Sequence, residues 1–280
     1  MKVVILNTSE HTGGAAVAAN RLLKALRKQG VEATMLVRDK SSQDPNVHSI
    51  NRTWFQQKVN LLRFLWERFV IFLCNRFSRS TLFQVSIANT GTDLSQHPLV
   101  QAADVIHLHW INQGFLSLHD LQKLVALDKP IVWTMHDMWP ATAICHYTRG
   151  CKYYQSACHN CRLLPGGGSE SDLSAKVWRK KHSIIHNHTI NFVSCSHWLQ
   201  RKAEQSGLFR HQSVTTIPNP INTHIFQPSL KSEARKRMHL PLGKRIILFV
   251  SQRVTDERKG MSYFIEAVEQ MLSADPTTNR

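Results

Sequence analysis

The chain has 280 residues, 42% of them apolar, enough to bury one large core or two ordinary ones, so a chain too polar to fold is excluded. Lys and Arg number 35 against 19 Asp and Glu, a formal net charge of +16. That balance points to an anionic partner (nucleic acid, anionic lipid head groups or phosphorylated substrates) or to a diffuse basic surface that aids solubility.

The N-terminus MKVVILNTSE reads as a first strand, Lys2 to Leu6, rather than a secretory signal. A polar loop leads to Gly13-Gly14 and a helix in which Ala19, Leu22, Leu23 and Leu26 share a face, with Gly30 as its stop. Val31 to Val37 is a second strand. Glycines at a helix N-terminus let a backbone approach an anion, although the pattern is not G-x-G-x-x-G and a simple tight turn fits it equally. Residues 41–51 read as a polar loop.

The next stretch, TWFQQKVNLLRFLWERFVIFLCNRFSR, is a helix with Val59, Leu62, Trp66, Phe69, Leu73 and Phe77 on one face. It is expected either to lie in a membrane interface beside anionic lipids or to pack that face on its own domain, with arginines at the edge. No apolar run approaches the ~20 residues of a spanning helix, so a cytoplasmic protein is expected.

ADVIHLHW (103–110) is a strand with His107 and His109 on one side. A helix from Leu116 to Leu127 follows, then the strand IVWTMHD ending in His136-Asp137. Polar groups just past the end of a buried strand stand where open α/β sheets bind ligands. Further on come a helix from Leu173 to His188, a strand from Ile190 to Cys195, a helix N-capped by Ser196 and stopped by Gly207, and a short strand from Val214 to Ile217. Strand–helix alternation predicts a doubly wound parallel sheet. Between them lies C-x5-C-x6-C-x2-C: Cys145, Cys151, Cys158 and Cys161. Four thiols in 17 residues suit a structural zinc site, with His146 or His159 as substitutes; disulfides and free thiols are the alternatives.

Gly13-Gly14, DVIHLHW, VWTMHDMWP, the cysteine loop, SCSHWL, IPNPINTHIFQP and FVSQRVTDERKG occur in that order. Together they resemble a bacterial family 4 glycosyltransferase of the two-Rossmann-domain GT-B fold, in particular its colanic acid and exopolysaccharide branch. The resemblance implies an α/β, GT-B-like architecture. Its parts are an N-terminal acceptor-side Rossmann-like domain over 1–212 with a Cys-rich insertion at 145–161, a linker over 213–228, and the first part of a donor-side domain over 229–280. It implies a retaining sugar transfer from a nucleotide-sugar donor to a glycan or lipid-linked acceptor, with no catalytic metal, no organic cofactor and no nucleic-acid partner, in the cytoplasm or at the inner face of an anionic membrane.

Residue by residue, the resemblance places Gly13 and Gly14 beside the donor diphosphate and His136 at the reaction centre, with His109 and Asp137 as acceptor-side candidates. It places Arg253 and Lys259 as the cations that hold the diphosphate. Asn219 and Phe226 match a linker motif in which Pro220 and Asn222 replace the usual Gly and Asp. Residues 245–251 (RIILFVS) are expected as a strand, and Lys259-Gly260 as the opening of a helix whose apolar face is Phe264, Ala267, Val268 and Met271. Family members continue through a full second domain bearing a glutamate pair, so the 280 residues are expected to be a fragment; the alternative is an inactive remnant that binds acceptor, lipid or a protein partner.

Overall fold

The computed structural model describes residues 1–51, 53–251 and 254–274. They fall into two compact units, Met1–Asn222 and Thr223–Arg280. The first contains β1 (Lys2–Ser9), α1 (Gly14–Lys28), β2 (Glu32–Asp39), β3 (Val47–Ser49), α2 (Trp54–Cys74), α3 (Pro98–Gln101), β4 (Val105–Leu108), α4 (Leu118–Val125), β5 (Ile131–Met135), α5 (Leu173–His186), β6 (Asn191–Ser194), α6 (His197–Glu204) and β7 (Val214–Thr216). The seven strands form one sheet in the order β3-β2-β1-β4-β5-β6-β7, and every pairing is parallel. This is a Rossmann-like α/β sheet. Strand order reverses at β1, which pairs with β2 on one side and β4 on the other, so the crevice at the C-terminal ends of β1 and β4 is the topological switch point.

A central parallel strand is buried on both faces, and β1 is buried from Val3 to Ser9. Its side chains alternate between two cores. Val3 and Ile5 pack with Ala19 and Leu23 of α1 and with Met35 and Val37 of β2. Val4 and Leu6 join a larger cluster containing Leu108, Trp133, Trp139, Phe192 and Phe209. The helices start where capping chemistry allows: Thr53 with Gln56 and Ser117 with Asp120 form reciprocal capping boxes, and Ser196 accepts from Leu199 N–H at 3.2 Å. Two short elements, β3 and α3, carry too few apolar residues to show a period. β3 exists because β2 supplies its ladder, so residues 41–51 are not all loop. α6 ends at Glu204, and Gly207 opens a 3-10 turn instead of stopping the helix.

The helix α2 carries the face expected of it, but that face points outward. Asn60, Glu67, Arg68 and Ile71 are buried, while Leu62, Trp66, Phe69 and Leu73 are exposed. The inward polar groups replace apolar packing with hydrogen bonds. Glu67 Oε1 accepts from Ile87 N–H (2.7 Å) and Ala88 N–H (3.0 Å), and Arg68 Nη1 donates to the carbonyls of Leu82 and Val85. Arg63 donates to Asn60 and Thr92. Past the helix end, buried Asn75 accepts from Gly166 N–H at 3.1 Å.

Among its described residues the second unit holds the helices α7 (Lys231–Arg237) and α8 (Met261–Ala274) and a 3-10 turn at Glu257–Lys259. The stretch 245–251 is not a strand. Among the described residues no neighbouring strand supplies the ladder that its backbone would need, and Leu248 and Val250 are exposed. Phe264 is half-buried and packs its ring 5.5 Å from that of Phe249. Lys259 closes the 3-10 turn rather than opening the helix, because left-handed Gly260 separates the two.

Candidate active site

At the C-terminal edge of the sheet, the polar end of β1 holds the loop after β4. Asn7 Oδ1 accepts from Trp110 N–H (2.8 Å), and Thr8 Oγ1 donates to the carbonyls of Trp110 (2.8 Å) and Asn112 (2.9 Å). That clamp sets His109, whose backbone N–H donates to Leu6 O and whose carbonyl accepts from the buried indole of Trp133 at 3.0 Å. β5 runs beside β4 and delivers His136 next to it. His109 Nδ1 and His136 Nε2 are 2.9 Å apart, and their rings stack at 5.1 Å. His107 lies beneath His109, ring centres 4.6 Å apart, with its Nε2 2.8 Å from Thr134 Oγ1.

Such a cluster is neutral at pH 7. Burial pushes His107 and His136 down to about 4, and holds His109 well below the ordinary histidine range. The neighbouring rings add to the effect on His107 and His109, while Asp137 opposes it on His136. One ring of the His109–His136 pair therefore donates and the other accepts, both neutral. His109 Nε2 is buried without a hydrogen-bond partner among the described residues. His136 keeps part of its surface open and stands at the crevice.

Asp137 faces the other way. Burial opposes its charge, but the electrostatic pull of His146 and then hydrogen bonds outweigh it and hold its carboxyl below the ordinary range. Its Oδ2 accepts from His146 Nδ1 (2.6 Å) and from the indole of Trp110 (3.2 Å), and its Oδ1 from Trp139 N–H (2.8 Å). His146 in turn lies 3.1 Å from Ser86 Oγ, and the chain around it is tied to residues 84–86 by Ser86 N–H to Ile144 O and His146 N–H to Gln84 O. His146 was open to reading only as a substitute metal ligand; its pairing with Asp137, nine residues earlier, depends on the loop folding back. Trp110, Ser86, Asn7 and Thr8 carry no local signal of their roles.

The sheet thus brings His109, His136 and Asp137 together. Gly13 and Gly14 lie at the same C-terminal edge, at the start of α1, exposed. Gly13 has φ 92°, a left-handed conformation that strains any residue with a side chain, and the space around it is open. Lys259 is exposed in the second unit, beside Asp256, which pairs with Arg258 at 2.6 Å. Arg253 lies outside the described residues.

The four cysteines line one cavity of about 260 Å³ together with Tyr153, Tyr154 and His159. They are unbridged. Burial, with the neighbouring thiols adding, pushes Cys145 up to about 11 and Cys158 and Cys161 up to about 12, so these are protonated and unreactive at neutral pH. Among the described residues, no group of three or more His, Cys, Asp and Glu side chains is positioned to hold a metal. Below the loop, Lys181 is fully buried: its Nζ donates to Trp139 O (2.6 Å) and Thr142 O (3.0 Å) and sits 3.2 Å from the centre of the Trp139 ring. Burial holds its ammonium well below the ordinary lysine range, against the pull of Cys145, Cys158 and Asp137.

The family model described as Glycosyltransferase Family 4 matches residues 12–225, which include His107, His109, His136, Asp137 and His146. The chain belongs to glycosyltransferase family 4. Sugar transfer from a nucleotide-sugar donor to a glycan acceptor is what that family does in general. The chain is also similar to a protein of Escherichia coli (strain K12) named as a colanic acid biosynthesis glycosyl transferase, WcaC. The two are 32% identical over 68 residues, 24% of this chain and only 17% of that relative's length.

Proposed function

We propose that this family 4 chain takes part in a retaining sugar transfer from a nucleotide-sugar to a polysaccharide or lipid-linked acceptor during assembly of a bacterial surface polysaccharide, as the name of its WcaC relative suggests. The supporting observation is the stacked His109–His136 pair at the switch point of the sheet. A neutral His136 offers a hydrogen bond rather than a charge, which suits orienting an acceptor hydroxyl or the donor sugar. His109 acts through it as a positioning residue, and Asp137 positions the loop through His146, Trp110 and Trp139. Gly13, Gly14, Arg253 and Lys259 are assigned to the donor diphosphate. A leaving nucleoside diphosphate gains charge as the bond breaks, so fixed cations and free amides there lower the barrier, and no catalytic metal is required.

The test is transfer or donor hydrolysis by the purified chain across a panel of nucleotide sugars, with and without EDTA. His136→Ala is expected to lower turnover roughly 100-fold. His109→Gln is expected to lower kcat about tenfold with little change in KM, as for a group that acts by holding another. No turnover, together with nucleotide affinity unchanged in Arg253→Ala/Lys259→Ala, would mean that the chain is a folded acceptor-binding remnant.

The cysteine insertion serves in this reading as a clamp on the acceptor side, closed by structural zinc. Convergence of four thiols on one cavity supports the clamp, although a metal would have to draw the side chains inward. About one equivalent of zinc per chain is expected on metal analysis, lost in Cys158→Ser. Less than roughly half an equivalent, with all four thiols open to titration under native conditions, would leave a thiol-lined cavity and no metal site.

A further inference from the structure

The outward face of α2 is the largest feature that sugar transfer leaves unexplained. Trp66 is 54% exposed, Leu62 63% and Phe69 47%, and the patch extends through Trp54, Phe55 and Phe77 beyond what a protein surface in water ordinarily carries. The inward face explains why this orientation is locked. Glu67 and Arg68 are committed to the 82–88 loop, and rotating the helix to hide its leucines would expose those amides and carbonyls instead. The apolar face is therefore outside in every state that keeps this packing.

Its charge pattern identifies what it meets. Between residues 45 and 92 the only acidic residue is Glu67, which is buried, whereas Lys58, Arg76 and Arg79 are exposed. Lys58 Nζ lies 5.3 Å from the Trp54 ring and the Arg79 guanidinium 5.9 Å from the Phe72 ring, so cations flank the aromatic stripe. A protein partner would need its own apolar surface ringed by acids. A bilayer with anionic head groups supplies both at once. A transmembrane arrangement is excluded for α2 by its buried polar side, and among the described residues no helix is long and apolar enough to cross a membrane.

We propose that α2 lies in the plane of an anionic bilayer surface. Leu62, Trp66 and Phe69 enter the acyl boundary, and Lys58, Arg76 and Arg79 rest among the lipid phosphates. The inference stands independently of sugar transfer, since it concerns binding alone.

Flotation of the 280-residue chain with vesicles tests it. Binding to vesicles containing phosphatidylglycerol is expected to exceed binding to phosphatidylcholine vesicles by at least about tenfold at low salt, and to fall as salt is added. Leu62→Gln/Trp66→Gln/Phe69→Gln removes outward side chains only. It is expected to keep the far-UV spectrum and melting temperature and to weaken vesicle binding about 100-fold. Arg76→Glu/Arg79→Glu is expected to abolish the preference for anionic lipid while retaining the fold. Wild-type chain that stays off anionic vesicles would overturn the proposal. So would a triple variant that binds as well as wild type, or one whose only change is loss of a dimer by light scattering, which would make the face a contact between two copies.

Discussion

Glu67→Ala is expected to destabilise the first unit by on the order of 3–5 kcal/mol, more than any surface change on the same helix. The substitution strands two buried N–H groups, those of Ile87 and Ala88, and leaves Arg68 without the carboxylate oxygen 3.0 Å from its Nη2. That contact is charge pairing without hydrogen-bond alignment, since neither atom has a hydrogen-bond partner among the described residues. The two amide bonds to Oε1 therefore carry most of Glu67's contribution. Ala88 adds to the cost, because it sits at φ 46° and its carbonyl accepts from Leu118 N–H at the start of α4. Glu67→Gln keeps an acceptor at Oε1 and is expected to lose only about 1–2 kcal/mol. Urea unfolding of the three chains decides the matter. An alanine variant within about 0.5 kcal/mol of wild type would show that the inward polar face does not hold α2.

The second large effect is acid lability from the histidine stack. His107 and His136 titrate at about 4 in the folded chain against 6.5 unfolded, and burial likewise holds His109 well below the ordinary histidine range. Between those values the unfolded chain binds more protons, so stability rises with pH. Stability is therefore complete above about pH 6.5 and is lost as pH falls toward 4. His107 and His136 each contribute on the order of 2 kcal/mol of loss at pH 5 relative to pH 8, trimmed by their partial exposure. Carboxylates such as Asp137 and Asp172 lose their stabilising charge only below the ordinary carboxylate range, so the two windows are separable. Melting temperature measured from pH 8 to 4.5 is expected to fall, and His107→Gln to flatten the fall. A flat profile in the wild-type chain would mean that the stack tolerates charge.

The strands β1, β2, β4 and β5 were legible because a buried parallel strand is a mostly apolar run, and the helices because their caps sit beside periodic leucines. The position of His136-Asp137 followed from the same logic. The side of α2 that faces inward did not. Periodicity locates an apolar face without saying where it points, and the partners of Glu67 are backbone amides twenty residues away. The division of labour at the crevice was equally hidden. His136 meets another histidine rather than a carboxylate, and Asp137 turns to hold a loop, because residues brought from β4 and from the insertion decide which hydrogen bonds form. The run at 245–251 failed as a strand for a related reason, since a strand is a property of a pair.

The exit of the cysteine insertion has a consequence for how such chains diversify. At Gly167 an added Cβ would stand 1.9 Å from the carbonyl oxygen of Cys74, so the insertion leaves flush against the last turn of α2. Between 149 and 160 exposed positions such as Lys152 and Ala157 can vary, while Tyr154 is buried and Cys151 and Cys158 line the cavity. At 166–168 the loop has no such freedom, because backbone touches backbone. Any change in the tilt or length of α2 must rebuild this seam at the same time, which couples the helix to the cysteine insertion through backbone contact alone.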